Sequence, residues 1–166
     1  MTETQESKTN DTPQMGQTID RNTQKIVLVI ATFGSFLTPF MMSALNIALP
    51  SIQKDFSANA VLLSWIATSY LLATAIFLVP IGKIADIYGR SRTYKYGMII
   101  FTVVSFASAF VPNIELLILM RVLQGIGGAM VLTTGVALLT SVFPPQQRGK
   151  ALGFNVSSVY IGLSLG

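Results

Sequence analysis

Arg121 and Gln124 are the residues of this chain with the clearest capacity for chemistry, because they interrupt an otherwise apolar run from Leu116 to Phe143. Standing three apart, they share one face of any helix built from that run. A guanidinium inside such a segment costs roughly 2.5–3.5 kcal/mol on insertion scales, so a partner or a purpose is expected. Either Arg121 snorkels from the outer end of its helix to the interface, or it faces a cavity as a buried cation. Gln124 favours the cavity, since its amide supplies two donors and an acceptor one turn later. Asn46 is polar within another apolar run and either bonds across to a neighbouring helix or lines a substrate path. A third constellation is Gly82-Lys83-Ile84-Ala85-Asp86-Ile87-Tyr88-Gly89-Arg90-Ser91-Arg92, where Asp86 precedes Arg90 by the four residues that let opposite charges meet on a helix. Gly82 and Gly89 allow another backbone to approach.

Other chemistries are closed by composition. The chain has no Cys and no His, which removes thiolate metal sites, disulfides and the usual proton shuttle at neutral pH. Proton traffic must therefore use carboxylates, of which there are seven. No nucleophile with a base, metal cluster or phosphate loop is visible, and Gly125 to Gly128 follow no strand, so the chain reads as no enzyme. The net charge of +4 would suggest nucleic acid in a soluble protein, but here the cations cluster in alternate short connections. No nucleic-acid partner is expected.

The elements that position these residues are membrane helices. Only 11% of residues are charged and 51% are hydrophobic, against about 25% charged in an ordinary soluble domain. Residues 1 to 24 are polar and read as a disordered cytoplasmic tail. Apolar spans follow at about 26–50, 61–81, 96–111, 116–143 and 151–166. At about 1.5 Å per residue the first more than covers a hydrocarbon core of about 30 Å. The fold class is thus an all-α integral membrane protein with four full spans and a fifth still running at Gly166. The chain is expected to be a fragment that cannot transport alone.

Lys8, Arg21 and Lys25 precede the first span, Lys54 follows it, and Lys83, Arg90, Arg92 and Lys95 lie between the second and third. The third connection has no cation, and the fourth has Arg148 and Lys150. This alternation puts the N-terminus, second loop and fourth loop in the cytoplasm. Gly125, Gly127, Gly128 and Ala129 let the fourth span pack closely on its neighbours.

The motifs resemble those of the major facilitator superfamily, and most nearly its fourteen-span drug:proton antiporter branch, over residues 25 to 166. Gly82, Asp86, Gly89, Arg90 and Arg92 match the loop motif Gly-x-x-x-Asp-x-x-Gly-Arg-x-Arg between spans two and three, with Ser91 at a position that is often basic. Arg121-Val122-Leu123-Gln124-Gly125-Ile126-Gly127 matches the fourth-span motif, whose Arg the family links to proton coupling. Leu45-Asn46-Ile47-Ala48-Leu49-Pro50 resembles a first-span signature in which an Asp usually stands where this chain has Met41. Gly162 and Gly166 have the Gly-x-x-x-Gly opening of the antiporter motif in span five. The resemblance implies the N-terminal helices of a rocker-switch bundle, with a site that opens to each side in turn. It implies export of a small amphipathic or cationic substrate against protons, with the proton gradient as energy source and no cofactor. Its partners are the lipid bilayer of the cytoplasmic membrane and the remaining C-terminal helices. Asp86 would hold a helix end of the opposite half, with Arg90 pairing nearby. Arg121 would exchange carboxylate partners, which the sequence reading expects from further helices because Asp86 lies in a loop and Glu115 at an outer end. Two alternatives are a metabolite facilitator or symporter of the same superfamily and a small self-associating or regulatory membrane protein.

Overall fold

The computed structural model describes residues 20–166, which form five helices: α1 (Arg21–Phe56), α2 (Ala60–Tyr88), α3 (Arg90–Ala107), α4 (Ile114–Val142) and α5 (Pro145–Leu165). A short 3₁₀ turn, Ser108–Phe110, follows α3. The fold is all-α, as the apolar runs predict. Of the tail expected to be disordered, residues 1–19 lie outside the described residues. The last four, Arg21 to Gln24, are helical instead. Asp20 caps them, and the Gln24 amide donates to the Val142 carbonyl at 3.3 Å, which ties the first turn of α1 to the end of α4.

Proline and charge marked helix ends in the sequence reading, and the structure moves those ends outward. α1 runs through Pro39 and Pro50 rather than stopping at 50. Proline removes one hydrogen bond from a helix interior, and packing by neighbours can offset that loss. Here Ile52 and Phe56 pack on a buried cluster of Leu45, Ala58, Ile66, Ile114 and Leu117, so the last turns of α1 are held in place. The helix ends at Ser57, whose φ of 48° is left-handed, with the Ala58 N–H closing on the Gln53 carbonyl. Asn59 and Asn113 then cap α2 and α4, their side-chain oxygens accepting from the N–H groups of Leu62 and Leu116 at 2.9 and 3.0 Å.

The charged connection expected between spans two and three shrinks to one residue. α2 continues to Tyr88, α3 starts at Arg90 instead of 96, and Gly89 alone turns the chain with φ of 100°. Lys83, Asp86, Arg90 and Arg92 sit exposed on helix ends, where charge does not oppose helix formation. α5 likewise starts at Pro145, not 151, with proline in its first turn, where the missing N–H is no loss. α1, α2 and α4 are long and apolar enough to cross a membrane. Instead of the four full spans expected, three helices meet that criterion. α3 has 18 residues and spends its first two turns on Arg90, Arg92 and Lys95.

α4 occupies the middle, packed against α2, α3 and α1, while α5 packs chiefly on α1. Its glycines make this possible. A Cβ at Gly125 would lie 2.7 Å from the Tyr70 carbonyl oxygen on α2, and one at Gly127 would lie 2.9 Å from the Phe101 nitrogen on α3. Polar side chains tie the helices across these contacts. The Thr74 hydroxyl of α2 lies 3.1 Å from the Gly125 carbonyl oxygen, and the Tyr94 hydroxyl of α3 donates to the Ile30 carbonyl of α1 at 2.7 Å. Ser158 of α5 donates to the Thr32 carbonyl of α1 at 3.1 Å. The outward faces expose Leu71, Ile76 and Val79 of α2 and Ile99, Val103 and Phe106 of α3, as a lipid-facing surface requires.

Substituting Gly125 by Val is expected to destabilise the bundle by about 1–3 kcal/mol, because backbone atoms, not flexible side-chain ends, would have to move. At Gly149 on α5 an added Cβ meets nothing within 4 Å, and Ala there is expected to be neutral or slightly stabilising. Unfolding midpoints in mixed micelles with rising SDS check both variants.

Candidate functional site: a buried cation in a cavity at one end of the bundle

Arg121 is 8% exposed, buried within the bundle. Its position follows from the packing of α4: the turn that carries it lies beside the apolar cluster at the end of α1 and the starts of α2 and α4, and the glycines begin one turn later. Nη1 donates to Gln124 Oε1 at 2.8 Å on the same helix face. The Gln124 amide nitrogen in turn donates to the Ser105 hydroxyl of α3. Gln124 is 1% exposed, so this relay from α4 to α3 is dry. Nε of Arg121 is buried without a hydrogen-bond partner among the described residues. An uncompensated buried N–H of a charged group is costly, so the site is built with unused binding capacity.

Arg121 lines a cavity of about 470 Å³ together with Met41, Ala44, Leu45, Ala48, Ile52, Asp55, Phe56, Ser108, Ala109, Val111 and Leu117. Asp55 is the residue that sequence reasoning missed. A carboxylate partner of Arg121 was expected from further helices because Asp86 was placed in a loop and Glu115 at an outer end, while Asp55 was placed in a polar connection after Pro50. The signal was present, since Leu45, Ala48, Ile52 and Asp55 continue a helical face past Pro50. Ser105 was missed as well, and nothing in the sequence couples it to Gln124. Asn46 is exposed and does not line the cavity, so the structure does not bring it to Arg121. Met41, which stands where the resembling signature has Asp, does line it.

The Gly82–Arg92 constellation lies at the other end of α4. Arg90 donates from Nε and Nη2 to Asp86 Oδ1 at 3.2 and 3.1 Å, and Nη1 reaches 3.5 Å from the Ala137 carbonyl oxygen. One arginine thus joins the end of α2 to the start of α3 and leans on α4. Gly82 places α2 against Thr133 of α4, where a Cβ would meet the methyl group at 3.4 Å. Arg92 is exposed. Between Arg121 and Ala137 α4 rises about 24 Å, so the two sites are separated by most of a bilayer. Among the other expected packing glycines, Gly128 faces the Tyr70 hydroxyl, and Gly162 and Gly166 press on the carbonyls of Phe36 and Phe40 of α1.

The family model described as Major Facilitator Superfamily matches residues 31–166. The chain belongs to the major facilitator superfamily. It is 36% identical over 137 residues to the riboflavin transporter RibZ of Clostridioides difficile, covering 82% of this chain and 30% of that protein. It is 34% identical over 145 residues to the multidrug resistance protein Stp of Mycobacterium tuberculosis, covering 87% and 27%. A probable actinorhodin transporter of Streptomyces coelicolor is 33% identical over 124 residues, covering 75% and 22%. The chain therefore spans less than a third of the length of these superfamily relatives. Their names are those of transporters, not enzymes, and superfamily membership together with the long apolar helices makes this a membrane protein.

Asp86 and Arg90 are exposed, with 64% and 43% of their side-chain surface accessible, so their pairing is expected to contribute no more than about 1 kcal/mol. A double-mutant cycle of Asp86→Asn and Arg90→Ala in SDS unfolding checks this, and a coupling above about 2 kcal/mol would show a stronger structural bond than the geometry supports.

Proposed function

We propose that this chain supplies the first helices of a secondary active exporter of the cytoplasmic membrane, which expels a small amphipathic or cationic substrate in exchange for protons by alternating access. The observation that carries the reading is the buried Arg121, a cation that lines a cavity and has no carboxylate paired with it among the described residues. A fixed cation in such a cavity attracts a carboxylate when that carboxylate is ionised and releases it when it takes a proton, so one proton can change what the cavity holds. The energy source is the proton gradient, with no cofactor. The multidrug resistance in the name of Stp supports a drug-type substrate.

In this reading the N-terminus, the α2–α3 connection and the α4–α5 connection face the cytoplasm. Arg21, Lys25, Lys83, Arg90, Arg92, Lys95, Arg148 and Lys150 share that end of the bundle, which supports the orientation. Asp86 and Arg90 hold this half against the remaining helices, with the α2 and α3 ends as the contact. The weak internal value of that ion pair is consistent with a contact that must open and close. A second reading, a metabolite facilitator or symporter, is supported by the name of RibZ, a riboflavin transporter.

Everted membrane vesicles containing the complete transporter test the export reading with ethidium as probe. Ethidium movement is expected to stop when the pH gradient is collapsed and to fall at least tenfold in Arg121→Gln, while Arg121→Lys retains part of it. Vesicles carrying residues 1–166 alone are expected to show none. Movement that ignores the pH gradient would overturn proton coupling.

A further inference from the structure

The Arg121 cavity carries two opposite charges that do not close on each other. Among the described residues the ion pair is Asp86–Arg90, at the far end of the bundle. Asp55 is exposed at the mouth of the cavity, and Arg121 is buried within it. The wall between them is apolar, formed by Met41, Ala48, Ile52 and Leu117. Asp55 cannot swing freely to Arg121, because Ile52 and Phe56 on either side of it are packed on the apolar cluster.

We propose that this cavity is a binding site for a zwitterionic amphipathic molecule, with Asp55 receiving its cationic group, the Arg121 side chain receiving its anionic group, and the apolar wall covering its body. The inference rests on the reading of the cavity as part of the substrate path, and it narrows the substrate class. Its volume of about 470 Å³ is that of a pocket for a drug-sized ligand, for which the usual range is about 300–1,000 Å³. Arg121 Nη1 is already committed to Gln124, which fixes the guanidinium plane. A simple cation would meet Asp55 but would be repelled by the buried guanidinium. A simple anion would be attracted to the guanidinium but meet the carboxylate at the mouth. A molecule bearing both charges at the two ends of an apolar core avoids both penalties.

Three forms of one fluorescent scaffold test this directly: a fluoroquinolone with free amine and carboxylate, its methyl ester, and its N-acetyl derivative. Binding to the full 166-residue chain in lipid nanodiscs is read by fluorescence polarisation, which does not depend on transport or on a pH gradient. The zwitterion is expected to bind at least tenfold more tightly than either singly charged form. Asp55→Asn is expected to lower the zwitterion to the affinity of the N-acetyl form without weakening the N-acetyl form. Arg121→Gln is expected to lower it to the affinity of the ester without weakening the ester. Asp55 is exposed, so its variant keeps the test decisive if the Arg121 variant fails to fold. Equal affinities for the three forms, or equal weakening of all three by Asp55→Asn, would overturn the proposal. Loss of proton coupling in vesicles with this binding pattern intact would overturn the export mechanism alone.

Discussion

Everything in this bundle depends on how closely α4 can approach two neighbours at once. Lipid tails are as apolar as leucine, so helices in a membrane gain little by hiding apolar surface from one another. What remains is close backbone contact, and α4 achieves it on two faces, through Gly125 against α2 and Gly127 against α3. Glycine lowers helix propensity by about 1 kcal/mol in an exposed helix interior. Here that weakness is offset because neighbouring backbone fills the space a side chain would need. The hydroxyl of Thr74 bonds into the same contact, so dispersion and hydrogen bonding act at one point.

That close packing is also what makes a buried arginine tolerable. Gln124, one turn from Arg121, is sealed by the contact with α3, and its amide joins the guanidinium to Ser105. The relay satisfies part of the guanidinium and leaves Nε buried without a partner among the described residues. At the far end of α4 the logic is reversed. Arg90 and Asp86 are exposed and weakly bound, and a single glycine with positive φ forms the whole connection. One end of the bundle therefore holds a buried charge, while the other holds exposed ones. This contrast fits the proposed division between a cavity and a contact that opens and closes.

Much of this was legible in the sequence. The apolar runs dictated five helices, the glycine run marked α4 as a packing surface, and the cost of a charge in a span singled out Arg121. The errors share one cause, which is that local signals of helix termination were overridden by packing. Pro50 was read as an end, yet Ile52 and Phe56 bury on the apolar cluster and carry the helix on to Phe56. Asp55 was consequently assigned to a polar connection rather than to the cavity. The charges from Lys83 to Arg92 were read as a loop, yet helix ends outside the apolar zone accept charge freely, and only Gly89 leaves the helical conformation. Ser105 could not be found because its role depends on the register between α3 and α4, which no single segment encodes.

The claim on which the account rests is that Arg121 is held by Gln124 inside the protein and does not lie at its surface. A double-mutant cycle with Arg121→Met and Gln124→Met, read from SDS unfolding in micelles, measures that link. The account predicts a coupling of at least about 1 kcal/mol, because a charged hydrogen bond in a dry site is lost in either single variant. Additivity of the two substitutions within about 0.3–0.5 kcal/mol would contradict it.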